Sequence, residues 1–395
     1  MVMRRGAWTA ISVLFVGVLA GDATAAVTCA GERATVVGTA GPDRLVGGPG
    51  RDVIAGLGGA DVIRSRGGND LVCAGTGRRV DDGVVLGDEI RSGPGAYRVL
   101  GGCGVDVVWA GPGRDVVSGG SGGDALRGNK GSDRLRGGSG ADHLADGPQA
   151  DRVNGEAGRD VHEGGPGNDV DRGGDGRDWL WGHDGHDRMF GGDGRDALDF
   201  CMHVRLSCSD VPMVVDLAER TAIGRGNDSV VGFEVVRTGS GDDFVGGTER
   251  ADQIETGDGE DEVRAGGGAD AVFGGHGDDT LYGEDGRDRL DILFGDDSID
   301  GGEGRDLVTA RYFDTRTMYG SHSVMVDLAN GGASFQGGNA TLTSIEGAYG
   351  SNEDDFLGGD HRDNRLHAGP GEDTVDGRGG DDVCSGGEQT FGCEG

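Results

Sequence analysis

The chain has 395 residues, 87 of them Gly and only 5% aromatic, and it carries 70 Asp and Glu against 36 Lys and Arg for a net charge of −34. Nucleic-acid binders and anionic-membrane binders need a basic face, so this charge excludes both classes. Gly at roughly three times its usual ~7% share argues against a large globular enzyme core, because each Gly adds backbone entropy to be lost on folding.

Residues 1–25 read as a secretory signal peptide. Arg4 and Arg5 precede the apolar run Ala7–Ala20, and Ala23-Thr24-Ala25 offers a small-residue cleavage site before Ala26. That run is short of the ~20 residues needed to span a bilayer, and no other apolar stretch approaches it. The expectation is a secreted, extracellular protein that begins at Ala26, with a cap over residues 26–37 and no transmembrane segment.

From Gly38 a pattern restarts every nine residues: GTAGPDRLV, GGPGRDVIA, GLGGADVIR, SRGGNDLVC. It runs through residues 38–199 as 18 units, returns over 238–309 as 8 units, and again from 350 as 4 units that end at Ser385. Position six is Asp in 27 of these 30 units, position four is Gly in 25, and position eight is Val, Leu, Ile, Met or Cys in 27. The first half of a unit has the Gly content of a tight turn needing φ > 0. Its second half is a minimal strand with one inward apolar side chain.

The unit GGDGRDWLW (Gly173–Trp181) matches G-G-x-G-x-D-x-U-x at every fixed place. On these repeats the chain resembles the RTX, or haemolysin-type, calcium-binding family over about two-thirds of its length. The resemblance implies an all-β fold, a right-handed parallel β-roll with one coil per two units, in three blocks. Coils spaced ~4.8 Å apart would give the first block nine coils and a rise of roughly 40 Å. It also implies Ca²⁺ held between the turns of units i and i+2 by position-six carboxylates and turn carbonyls. The implied ligands are Asp43, Asp52, Asp61, Asp70, Asp88, Asp106, Asp115, Asp124, Asp133, Asp142, Asp151, Asp160, Asp169, Asp178, Asp187 and Asp196 in the first block. In the second they are Asp243, Asp252, Asp261, Asp270, Asp279, Asp288, Asp297 and Asp306, and in the third Asp355, Asp373 and Asp382. Asp suits turns without any metal, but stacked like charges about 5 Å apart repel strongly unless cations intervene. Twenty i, i+2 pairs carry Asp at both ends.

The pattern fails in units five to seven, Ala74–Leu100, where Arg79 and Tyr97 occupy position six and Asp81 position eight. This stretch is expected to bulge or loop out. His162 and Asp171 at the inward position of units fourteen and fifteen mark a second weak layer. Two related inserts, residues 200–237 and 310–349, share a V-x-V-D-L opening that suggests a longer strand leaving the coil and returning through a hairpin. Residues 350–395 then carry the third block and a C-terminal cap.

Seven Cys in an exported chain suggest disulfides plus one leftover. Cys201–Cys208 would close a small loop in the first insert. Cys384 and Cys393 are nine apart and could meet across the last coil. Cys29, Cys73 and Cys103 compete for one bond, and Cys29–Cys73 is the favoured pairing because it staples the cap to the early coils.

Catalytic motifs carry little weight. Gly119–Gly123 fits G-x-S-x-G but lies inside a nonapeptide, and His183 and His186 occupy variable positions. Trp179 and Trp181 flank an inward Leu180 on the outer face, where sugar stacking competes with plain surface decoration. The reading is a secreted calcium-binding repeat protein that folds on binding many Ca²⁺ ions and is not an enzyme. The alternatives are a surface adhesin or matrix component, and a polysaccharide-modifying enzyme using the solenoid surface; the macromolecular partner is not written in the sequence.

Overall fold

The computed structural model describes residues 26–76, 78–79, 85–201, 211–292, 294–310 and 322–393. The leader over 1–25 and Cys208 lie outside the described residues. Among these residues every regular element is a strand, and the recurrent pairing is parallel between residues 18 apart. Arg134–Gly140 pairs with Arg152–Gly158 and that strand with Val170–Gly176. In a second ladder, His143–Ala145 pairs with Val161–Glu163 and that strand with Trp179–Trp181. Alternate units thus feed two sheets, and two units close one coil of a parallel β-solenoid.

Position eight fills the space between the sheets. Leu126, Leu135, Leu144 and Val153 are at most 2% exposed, each contributing about 1.5–3 kcal/mol of apolar burial. The turns take positive φ at positions two and four. Gly176, at position four, has φ 145°, and a Cβ there would strike the carbonyl of Gly158 one coil below. Coils can stack at strand spacing only because that side chain is missing.

The irregular stretch resolves as a loop-out with a register consequence. Val62–Arg66 pairs with Val85–Ser92 at an offset of 27 residues, and Leu71–Thr76 pairs with Arg98–Cys103 at the same offset. One whole unit is therefore excluded from the coil, with Arg78–Arg79 folding back antiparallel on Val85–Leu86. Each sheet still has nine parallel strands up to Asp199, because Val36–Val37 joins the first ladder ahead of the repeats by pairing with Ile54–Ala55.

Among the described residues each insert makes the expected antiparallel hairpin, but its strands are short and stay in the sheet. Val214–Asp216 is only three residues long, pairs antiparallel with Thr221–Ile223, and that strand pairs antiparallel with Asn227–Val231. Both outer strands rejoin the parallel ladder: Asn227–Val231 sits beside Arg188–Gly194, and Val214–Asp216 beside Phe244–Thr248. The second insert repeats this order with Met325–Asp327, Gly332–Phe335 and Gly338–Thr343. The opposite sheet runs on undisturbed, Ala197–Asp199 pairing directly with Val235–Ser240.

Cys29 and Cys73 form a disulfide with Cα atoms 5.7 Å apart. Cys29 packs on Val53, Ala55 and Leu71, so the hairpin of Thr28–Cys29 and Glu32–Arg33 covers an outer sheet face. Cys384 and Cys393 are also bonded, and both pack against the last apolar layers. Cys103 is free and exposed.

Candidate metal centre

Position six stands immediately before most strands, and its backbone and side chain tie three coils together. Asp160 illustrates the arrangement. Its N–H donates to Asp178 Oδ1 at 2.9 Å, its C=O accepts from the Trp179 N–H at 2.9 Å, and its own Oδ1 accepts from the Asp142 N–H at 2.9 Å. Among the described residues, twenty such contacts join one position-six Asp of the repeats to another, at 2.6–3.1 Å. All the sequence-derived position-six aspartates are buried except Asp43 and Asp52, which are half-buried.

The second carboxylate oxygen is what sets these residues apart from ordinary turn aspartates. From Asp106 through Asp178, at every ninth residue, Oδ2 is buried and has no hydrogen-bond partner. Buried polar atoms of this kind are rare because each costs its desolvation. The Oδ2 atoms have oxygen neighbours instead: a Cβ on Gly173 would stand 2.5 Å from both Asp178 Oδ2 and the Gly191 carbonyl of the next coil. Carboxylate and carbonyl oxygens so close, with no proton donor between them, suit a hard cation that takes six to eight oxygens at about 2.3–2.6 Å.

Burial, more than mutual repulsion, is the larger electrostatic burden. Asp115, Asp124, Asp151 and Asp160 are each pushed up to about 7, first by desolvation and then by column neighbours, while a backbone N–H pulls the other way. Asp279 is pushed up to about 8 for the same reasons.

Not every turn is open. Asp43, Asp52, Asp252 and Asp355 already accept backbone N–H groups on Oδ2 from Thr39, Gly48, Thr248 and Ser351. In the units of Asp252 and Asp355, position four is Arg250 and Glu353 in place of Gly. The excluded unit changes one expected pair: Asp88 stacks on Asp61, not on Asp70, accepting the Asp61 N–H at 2.7 Å.

The family models settle the kinship. The model described as the RTX calcium-binding nonapeptide repeat matches residues 37–72, 98–126, 127–161, 163–198, a run of overlapping matches over 237–310, and 358–390. The chain belongs to the RTX calcium-binding nonapeptide repeat family. A search of curated proteins finds no match.

The RTX repeats imply Ca²⁺, and the donor set fits it. The matches leave gaps at the two inserts, yet the inserts continue the carboxylate column with residues that the nonapeptide count missed. Asp228 accepts the Asp187 N–H at 2.9 Å, Glu234 the Asp196 N–H at 3.1 Å, and Glu346 the Asp306 N–H at 2.9 Å. The readable signal was the acid before an apolar pair in FEVV and IEGA. Glu234 follows Asp228 by six residues, not nine, so the nine-residue count passes over it.

The other sequence motifs take structural places. Ser121 ends the strand Val116–Ser121 in a solenoid turn. His186 Nδ1 accepts the Asn227 N–H. Trp179 is covered by the Arg237 guanidinium, 4.7 Å from its ring centroid, and donates to Asp199 Oδ2 at 3.0 Å.

Proposed function

We propose that this RTX protein is a secreted calcium-binding structural protein, folded outside the cell by many Ca²⁺ ions shared between neighbouring coils. The observation that carries this reading is the column of buried position-six carboxylates whose Oδ2 atoms lack any proton donor. With ions present, each carboxylate is neutralised where burial otherwise disfavours its charge. Without them the same column opposes folding. Linkage then makes binding and folding one event, because ligands from coils 18 residues apart assemble only in the folded chain.

The signal-like leader and the oxidised Cys pairs support export. No helix among the described residues is long and apolar enough to cross a membrane. His367 Nδ1 bonds the Ser385 Oγ at 2.7 Å, but on an exposed face outside the buried carboxylate column, and the extent of that column supports an interaction role, as adhesin or matrix component, over catalysis.

The stoichiometry tests the ligand assignment. Of the twenty stacked Asp pairs within the repeats, four begin at a carboxylate whose Oδ2 is already engaged, leaving sixteen open cradles, and the Asp187–Asp228, Asp196–Glu234, Asp306–Glu346 and Asp373–Glu388 pairs add four. Equilibrium dialysis of the exported protein against Ca²⁺ should give a count near twenty. A count of only a few ions contradicts the assignment.

A further inference from the structure

The apolar interior is not continuous. One cluster runs from Leu45 to Val153 and the other begins at Leu180. Between them, the inward positions of one coil are His162 on Val161–Glu163 and Asp171 on Val170–Gly176. Asp171 stands in register between Val153 and Met189 and is 3% exposed. Its Oδ1 has no partner.

A second departure from the repeat meets it there. Position one is Asp in a single unit of the thirty, at Asp146, which is fully buried. Asp146 Oδ1 accepts the Gly147 N–H at 2.6 Å, and its Oδ2 has no partner. One carboxylate oxygen from each of Asp146, Asp151 and Asp169 falls within 4.8 Å of the others. Asp171 Oδ2 comes 3.8 Å from where a Cβ on Gly164 would stand, and Gly164 is the position-one residue one coil above Asp146. Asp171 and Asp146 each feel the other acids: burial and the neighbouring carboxylates push Asp146 up to about 10 and hold Asp171 well above the ordinary range. Arg172, the cation that eases Asp171, lies exposed outside over the Phe190 ring.

Two unrelated departures from the repeat, 25 residues apart, thus place unpaired buried carboxylates beside two position-six carboxylates. Random loss of the repeat gives no reason for such convergence, and an unpaired buried charge is among the costliest defects a core can hold.

We propose that Asp146, Asp151 and Asp169 hold one hard divalent cation inside the coil, with the buried Asp171 carboxylate beside them adding its charge, at a site beyond those made by position six alone. The proposal rests on the calcium reading for its two position-six ligands. Its donors are all anionic oxygens, which select calcium over softer metals. Affinity rises with the number of charged ligands and with site rigidity, so this site fills first and empties last. It then anchors the solenoid at the one layer where apolar packing is interrupted.

The test uses the full chain and its consensus reversion Asp146→Gly/Asp171→Leu, which restores residue types the repeat carries elsewhere. Both proteins are loaded with CaCl₂ and dialysed against stepped citrate, and the retained calcium is counted by atomic emission. The wild type should keep about one ion per chain at a citrate level that strips the turn sites, a preference of roughly tenfold or more from the added charged ligands. The reversion should keep none, while its far-UV spectrum in saturating calcium matches wild type. The near-isosteric Asp171→Asn should lose the same ion, which covers the case where the reversion does not fold. Equal retention by wild type and the variants overturns the site, as does a wild type that releases all its ions in one step. Calcium-driven folding of all three proteins with equal retention refutes this site alone, whereas no calcium response in any of them refutes the parent reading as well.

Discussion

Asp178 lies in a regular run and serves two neighbouring cradles, so its replacement has a magnitude that can be worked out. Asp178→Ala leaves the buried Asp160 N–H without its 2.9 Å acceptor, which costs about 1–3 kcal/mol. It also removes a ligand from the cradles shared with Asp160 and Asp196. Each site lost at a hundredfold excess of calcium over Kd forfeits about 2.7 kcal/mol, hence about 5 for two. Asp178→Asn keeps the acceptor and loses only the cation contribution. Burial holds the Asp178 carboxyl above its usual range, so the neutral amide favours the metal-free fold while weakening the calcium-bound one. Circular dichroism during calcium titration should therefore show raised midpoints for both variants, more so for Ala, with extra residual β-signal for Asn in chelator. Arg79→Ala, in the unit excluded from the coil, should titrate like wild type. Equal midpoints for Asp178→Ala and Arg79→Ala would refute the assignment.

Stability should depend on pH with opposite signs in the two metal states. Asp115, Asp124 and Asp160 titrate near 7 in the metal-free fold and near 3.9 unfolded, so the folded chain binds more protons between those values. Metal-free stability is then fullest below pH ~4 and is lost as pH rises through ~7; in saturating calcium, where ions replace protons, stability should instead fall on acidification. Residual far-UV β-signal in chelator and thermal melts in saturating calcium, each from pH 4 to 8, check this, and the same pH trend in both contradicts it. Gly176→Ala, whose Cβ would strike the Gly158 carbonyl at φ 145°, should abolish the cooperative calcium transition. Gly50→Ala, with nothing within 4 Å of the new carbon, should leave it intact.

The nonapeptide period made the solenoid, its inward position eight and its carboxylate column legible, because each role recurs in register. What escaped was whatever depends on three-dimensional register. The excluded unit reads as a decayed repeat, and nothing local shows that Asp61 skips it to reach Asp88. The inserts read as excursions because three-residue strands carry almost no periodic signal, yet they keep Val230 and Val236 buried as position-eight side chains do. Charge repulsion was legible from composition, whereas the larger burden, desolvation, became visible only once the carboxylates were seen inside the turns. Asp171 reads only as part of a weak inward layer, and nothing in the nonapeptide count relates it to Asp146.

The central claim is that calcium supplies the free energy that folds this chain. The buried position-six carboxylates carry a desolvation cost that no proton donor offsets, so the metal-free repeats should not hold. Far-UV circular dichroism of the exported protein, begun in excess chelator and titrated with CaCl₂, tests this most directly. The account predicts a disordered spectrum that turns cooperatively to β-structure, reverses with chelator, and does not respond to Mg²⁺. A full β-spectrum in chelator, unchanged on adding calcium, would contradict it and leave the repeats a metal-independent scaffold.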